Sequence, residues 1–189
     1  MSHHENLKIL AFVGLTGSGK STAVKHFTDK GYPKVYFGGV LLDAVKAAGL
    51  EINEHNERTL REELRQKDGK DFIVKRIIDQ IHDLTAAGQH RIVADGLYTW
   101  TEYKALKQAF HGELSVTAII SPKHLRYGRL ETREVRPLTQ EEASQRDWSE
   151  IENLEKGGPI AIADYYVTNN ENVEHFYKQL DDIAAQIDF

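Results

Sequence analysis

Five short apolar runs punctuate the chain, and the segments between them repeat at helical spacing. Residues 9–13, Ile-Leu-Ala-Phe-Val, are continuously apolar and end at Gly14. That is the pattern of a strand buried on both faces of a parallel sheet. Residues 34–37 (KVYF), 91–95 (RIVAD), 115–121 (SVTAIIS) and 163–169 (ADYYVTN) read as four further strands. After the first strand, Ala23, Val24 and Phe27 fall on one helix face, and Gly31 supplies the stop. The same periodicity predicts helices over roughly 40–48, 56–67, 70–87, 101–110, 123–134, 140–155 and 171–187. Strands alternating with helices predict an α/β fold, a five-stranded parallel sheet with helices on both faces.

Two polar segments exceed what such a sheet needs. One is 49–70, GLEINEHNERTLREELRQKDGK; the other, 123–157, is rich in arginine. In a phosphoryl-transfer enzyme these are the places for an acceptor-binding arm and a closing lid. No repeat, low-complexity tract or Pro/Gly-rich linker divides the 189 residues, so they read as one domain.

The chemistry begins at the first strand-to-helix turn. Residues 14–22, GLTGSGKST, contain Gly14-x4-Gly19-Lys20-Ser21, the full phosphate-loop pattern in the strand-turn-helix setting it requires. Gly14, Gly17 and Gly19 let the backbone turn and bring its N–H groups close to a ligand. With the positive end of the following helix, those donors form an anion site. Lys20 reaches the outer phosphates, and the Ser21 hydroxyl is placed for Mg2+. Thr16, Ser18 and Thr22 complete the nucleotide-binding stretch. The expected ligands are therefore ATP and Mg2+, on a three-layer P-loop NTPase fold.

Charge narrows the rest. Lys plus Arg is 24 against Asp plus Glu 29, a formal net charge of −5, which argues against a protein that coats nucleic acid or anionic membrane. Cysteine is absent, which excludes disulfides and thiolate metal sites. The N-terminal residues MSHHENLK lack the apolar core of a signal peptide, and the chain reads as cytoplasmic. The nine histidines show no ligand spacing. A small-molecule acceptor is the expected partner, with the chain acting as a monomer or homodimer.

Several residues are candidates for the chemistry beyond the loop. Asp95 ends an apolar strand at Asp-Gly, beside the phosphate loop in a parallel sheet. It reads as an organiser of Mg2+ or of the acceptor, or as a simple turn aspartate followed by Gly96. Arg126, Arg129 and Arg133 have the spacing of one helix face. Arg136 and Pro137 follow, and Thr139 with Glu142 reads as a capping box opening a helix that carries Arg146. Arginine suits phosphate because its planar fork binds oxygens bidentately. Arg58, Arg61 and Arg65 form a second stripe, read either as acceptor-phosphate ligands or as partners of Glu57, Glu62 and Glu63.

GLTGSGKST, VADG, the arginine-rich segment and ADYYVTNN together resemble the P-loop kinases of small molecules, the nucleoside monophosphate kinase and dephospho-CoA kinase superfamily, over nearly the whole chain. RDWSEIENLEKGGPIAIADYYVTN is also similar to an archaeal group related to dephospho-CoA kinases. The resemblance implies an ATP- and Mg2+-dependent kinase with Lys20 and Ser21 on phosphate and Mg2+, Arg129 and Arg133 in the lid, and Asn169 in the base-contacting loop. Its acceptor would be a small phosphorylated molecule, a nucleoside monophosphate or, alternatively, dephospho-CoA; a nucleotide-binding regulatory module is the third reading. The chain departs from these kinases after the second strand, where Gly38 and Gly39 replace their aspartate and Asp43 comes later; Asp43 and Gly96 join Arg58, Arg61 and Arg65 as candidate acceptor-binding residues.

Overall fold

The computed structural model describes residues 6–69, 71–134 and 137–189, and of Glu54, His55, Arg58 and Arg65 only the backbone. Strand β1 (Lys8–Val13) sits mid-sheet and is buried on both faces, as its unbroken apolar run requires. Ile9, Ala11 and Val13 enter one core, with Phe72, Ile77, Leu106 and Phe110. Leu10 and Phe12 point the other way, into a second core with Phe27, Phe176 and Leu180. Two helical layers thus cover one sheet.

The remaining strands are β2 (Lys34–Tyr36), β3 (Arg91–Asp95), β4 (Leu114–Ile120) and β5 (Tyr165–Thr168). They pair in the order β2-β3-β1-β4-β5, every pair parallel. From β1 the chain leaves toward β2 at one edge, and from β3 it leaves toward β4 on the other side. That reversal opens a crevice at the carboxyl ends of β1 and β3, where ligands gather in such sheets. It sets the phosphate loop beside Asp95.

Helix α1 (Lys20–Thr28) follows the loop, and α2 (Phe37–Ala47) follows β2 with no intervening turn. The sequence pattern carries the strand to residue 37 and starts the helix at 40. Phe37 instead turns into the core, and Gly38 and Gly39 lie under the Tyr36 ring. A Cβ at position 38 would stand 2.5 Å from the Tyr36 hydroxyl and 2.6 Å from its ring carbon. These glycines provide space for a ring, not a turn.

Helices α3 (Glu54–Asp68) and α4 (Phe72–Ala86) form the arm region, with Leu60 and Leu64 lining a groove against α2 and α4. Helix α5 (Trp100–Ala109) opens on a Thr99/Glu102 capping box. The arginine-rich segment holds α6 (Lys123–Thr132), then α7 (Gln140–Glu152), which opens on the Thr139/Glu142 box that the sequence suggests. Helix α8 (Gly157–Ala161) has no periodic signal in its Gly-Gly-Pro sequence, and α9 (Val173–Gln186) closes the fold over the second core. Among the described residues no helix is long and apolar enough to cross a membrane.

Candidate active site

The loop between β1 and α1 takes its shape from glycine. Gly14, Gly17 and Gly19 have φ of 148°, 82° and 109°, values that L side chains rarely adopt. Space enforces the same choice, since a Cβ at Gly14 would lie 2.5 Å from the Ile119 carbonyl oxygen and one at Gly19 would overlap the Asn169 amide. Gly19→Ala should therefore cost about 1–3 kcal/mol of stability in chemical denaturation.

Above the loop lies a cavity of about 450 Å³ lined by Thr16, Gly17, Gly19, Lys20, Ser21 and Thr22 together with side chains from distant segments. Lys20 Nζ bends back to donate to the carbonyls of Gly14 (2.8 Å) and Leu15 (3.0 Å). Burial pushes its ammonium down to about 8, Lys156 and Arg126 adding to the effect while Glu150 and Asp95 oppose it. The Ser18 side chain is buried outside this cavity, in a pocket shared with Gly14 and Ile119, so only its backbone is placed to serve the loop.

The arginines divide their work. Arg126 is buried, bonded to both oxygens of Asp147 (2.8 and 2.6 Å) and to the Thr16 carbonyl (3.0 Å). Arg129 donates to Ser121 Oγ (2.9 Å) and the Asn169 carbonyl (2.8 Å), and still borders the cavity; burial lowers its guanidinium. Arg133 also borders the cavity but follows the end of α6 in extended backbone, so the three do not share one helix face as their spacing suggests. Arg136 lies outside the described residues. Asn169 clasps the loop from behind, its amide nitrogen donating to the Ser18 carbonyl (2.8 Å).

Two further groups reach the cavity without any signal that singles them out in the sequence. Glu150 of α7 is 1% exposed and accepts from the Thr16 N–H (3.1 Å) and the Thr16 hydroxyl. Lys156, 4% exposed, pairs with it at 2.8 Å and lies 4.5 Å above the Tyr98 ring. Burial raises the Glu150 carboxyl, but Lys156, the Thr16 hydroxyl and Lys20 outweigh it and hold it at about 2. The only trace in the sequence is Arg146 four residues before Glu150, which reads as an ordinary helix pair and forms one at 3.2 Å.

Asp95 and Ser21 line an adjoining cavity of about 430 Å³ with Lys34, Tyr36 and Tyr98. Lys34 holds Asp95 at 3.2 Å. One hydroxyl and one carboxylate on a shared wall, facing a phosphate site, fit a Mg2+ ion that keeps most of its waters and takes phosphate oxygens as ligands. Gly96, with φ of 95°, is buried beneath the Tyr98 ring. Asp43 lies elsewhere: it is exposed on α2, 3.8 Å from Lys46, and borders the groove with Leu60, Leu64 and Phe72. Arg61 is on α3 and is not among the residues that line the phosphate-loop cavity, and the side chains of Arg58 and Arg65 are outside the description.

This sheet order, loop and helical arrangement define a P-loop kinase-like domain. A family described as an AAA domain matches residues 10–165, and a UPF0200 protein of Thermococcus onnurineus is 30% identical over 95% of this chain and 97% of its own length. The chain belongs to the UPF0200 family and carries that AAA domain. In fold it is similar to a shikimate kinase from Bacteroides thetaiotaomicron (TM-score 0.59, 11% identity, 96% of this chain and 99% of that one). A gluconokinase from Sinorhizobium meliloti gives a TM-score of 0.58 at 13% identity, with 97% of each chain covered.

Proposed function

We propose that this protein is a kinase that transfers the γ-phosphate of ATP, with Mg2+, to a small acceptor that itself carries phosphate, such as a nucleoside monophosphate or dephospho-CoA. The observation that carries the reading is the charge of the phosphate-loop cavity. Among the described residues it is lined by Lys20, Arg129, Arg133, Arg146 and Lys156 against the single carboxylate of Glu150. That surplus exceeds what the outer phosphates of one Mg2+-bound nucleotide neutralise and leaves cations for an anionic acceptor.

In this reading the amides of Gly17 to Lys20 hold the β-phosphate, Lys20 bridges to the γ-phosphate, and Arg129 and Arg133 close over the transferring group. Ser21 and Asp95 would hold Mg2+, which would supply positive charge to offset that of the phosphates. The chemistry asked of the protein is positioning and charge stabilisation, with no covalent intermediate.

The test is coupled ADP release with ATP and Mg2+ against all ribo- and deoxynucleoside monophosphates and dephospho-CoA. One acceptor should give a strong signal, its phosphate-free counterpart should give little, and EDTA should abolish turnover. Nucleotide binding with no transfer to any of these would overturn the proposal.

A further inference from the structure

One cation in the second cavity is only loosely committed. That cavity, of about 430 Å³ and bordered by Asp95, shares Ser21 and Tyr98 with the phosphate-loop cavity, so the two meet at the first turn of α1. Of the two lysines on its wall, Lys25 is held by Asp29 at 2.6 Å on its own helix. Lys34 meets Asp95 at 3.2 Å with 43% of its side chain exposed. Its reach is directed. In the pairing of β2 with β3, Lys34 stands opposite Val93 and Tyr36 opposite Asp95, so the ammonium runs two residues up the sheet to meet the carboxylate. The Tyr36 ring, seated on Gly38 and Gly39, lies beside it with its centroid 5.4 Å from Nζ. The side chain thus carries a cation to the carboxyl edge, where ligands gather in parallel sheets.

We infer, resting on the kinase reading above, that the Asp95 cavity seats the acceptor's phosphate and that Lys34 is the residue that selects it. One carboxylate stands here between two cations, the Lys34 ammonium and the Mg2+ assigned to Ser21 and Asp95. Like charges repel, so Lys34 weakens the hold of Asp95 on the metal. In turn, a carboxylate committed to Mg2+ leaves the ammonium without its counter-charge. Lys34 lies on an edge strand, and its flexible stem lets the ammonium turn from Asp95 to an incoming anion. The acceptor's phosphate is that anion. At the junction of the two cavities it also faces the surplus cations of the phosphate-loop cavity. Lys34 therefore discriminates between phosphorylated acceptors and their phosphate-free counterparts, and it does so in the Mg2+-loaded nucleotide complex.

Titration calorimetry of the full chain at low ionic strength, where such charges are least screened, tests this with wild type, Lys34→Met and Lys34→Arg. The first titrant is AMP-PNP, an ATP analogue that does not transfer its phosphate, in EDTA and in Mg2+. The ratio of its Kd in EDTA to its Kd in Mg2+ reports the metal's contribution. Lys34→Met should raise that ratio about threefold or more by removing the competing cation, and Lys34→Arg should leave it near wild type. A lysine that merely held Asp95 in place would, when removed, lower the ratio instead. The second titrants are AMP, CMP, GMP, UMP and dephospho-CoA, with the matching nucleosides, against the Mg2+-loaded AMP-PNP complex. The acceptor that binds wild type should lose about tenfold or more of its affinity in Lys34→Met and keep most of it in Lys34→Arg, while its phosphate-free counterpart changes by less than about twofold. The inference is overturned by a ratio that falls or stays level in Lys34→Met, or by an acceptor whose affinity does not depend on Lys34. A wild type that binds AMP-PNP but none of these acceptors would sink the kinase reading itself, and the inference with it.

Discussion

Replacing Lys20 with alanine should reduce phosphoryl transfer by about 1,000-fold or more, because it removes a preformed cation from a site where charge builds in the transition state. The fold should survive. Lys20 donates only to the carbonyls of its own loop, Gly14 and Leu15, and both cores lie away from it. The same residue carries a stability cost that gives an independent check. Its ammonium is held at about 8 by burial, against 10.5 for the free group. Between those values the unfolded chain binds the proton and the folded chain does not, so stability must rise with pH across that window. Below pH 8 both states are protonated and the full penalty applies. Urea denaturation from pH 7 to 10.5 should therefore show wild type gaining stability relative to Lys20→Met, a variant with no such proton to lose. A difference between the two that stays flat across the range would show that Lys20 is not buried as a cation.

What made the loop legible is that its meaning is local. Gly14, Gly17, Gly19, Lys20 and Ser21 are contiguous, and the apolar strand before them and the periodic helix after them fix the context. The five strands and most helices were equally legible, since burial on two faces or one writes itself into periodicity. The pattern starts helix α2 at residue 40, whereas it begins at Phe37 with the Tyr36 ring packed over Gly38 and Gly39, a contact that periodicity does not carry.

The walls of the cavity were much less legible. Glu150 reaches Thr16 across 134 residues of sequence, and nothing in its neighbourhood distinguishes it from Glu141 or Glu152. Arg126 shares the spacing of Arg129 but not its role, because Asp147 waits for it on another helix. Asp43 shows the reverse. The sequence offers it as the aspartate that follows β2, though several residues late, and the helix that starts at Phe37 carries it to a different groove. Local patterns carry the shape of the glycine loop; pairings between distant segments decide the rest of the site.

Those pairings also make the arginine-rich segment something other than a free lid. Helix α7 grips both sides of the Thr16 peptide: Glu150 takes its N–H, and Asp147, through Arg126, holds its carbonyl. The second of these is the more exacting for stability. The Arg126 and Asp147 side chains are 6% and 11% exposed and meet bidentately, with the Tyr127 hydroxyl adding a 3.2 Å bond. Asp147→Ala leaves a buried guanidinium without its counter-charge and should cost about 3–5 kcal/mol, a large part of the roughly 5–15 kcal/mol that holds a domain folded. Removing both charges together, as Arg126→Met with Asp147→Leu, should restore most of that loss, since the penalty belongs to the unpaired charge and not to the missing bond. The paired variant should nonetheless transfer phosphate poorly, because the Thr16 carbonyl has lost its anchor and the loop its fixed shape. Urea denaturation of the two variants beside wild type, with turnover measured on the same samples, separates the two effects. If Asp147→Ala were to lose less than about 1 kcal/mol, the figure for a surface pair, the grip of α7 on the loop would be incidental and this segment would be free to open as a whole.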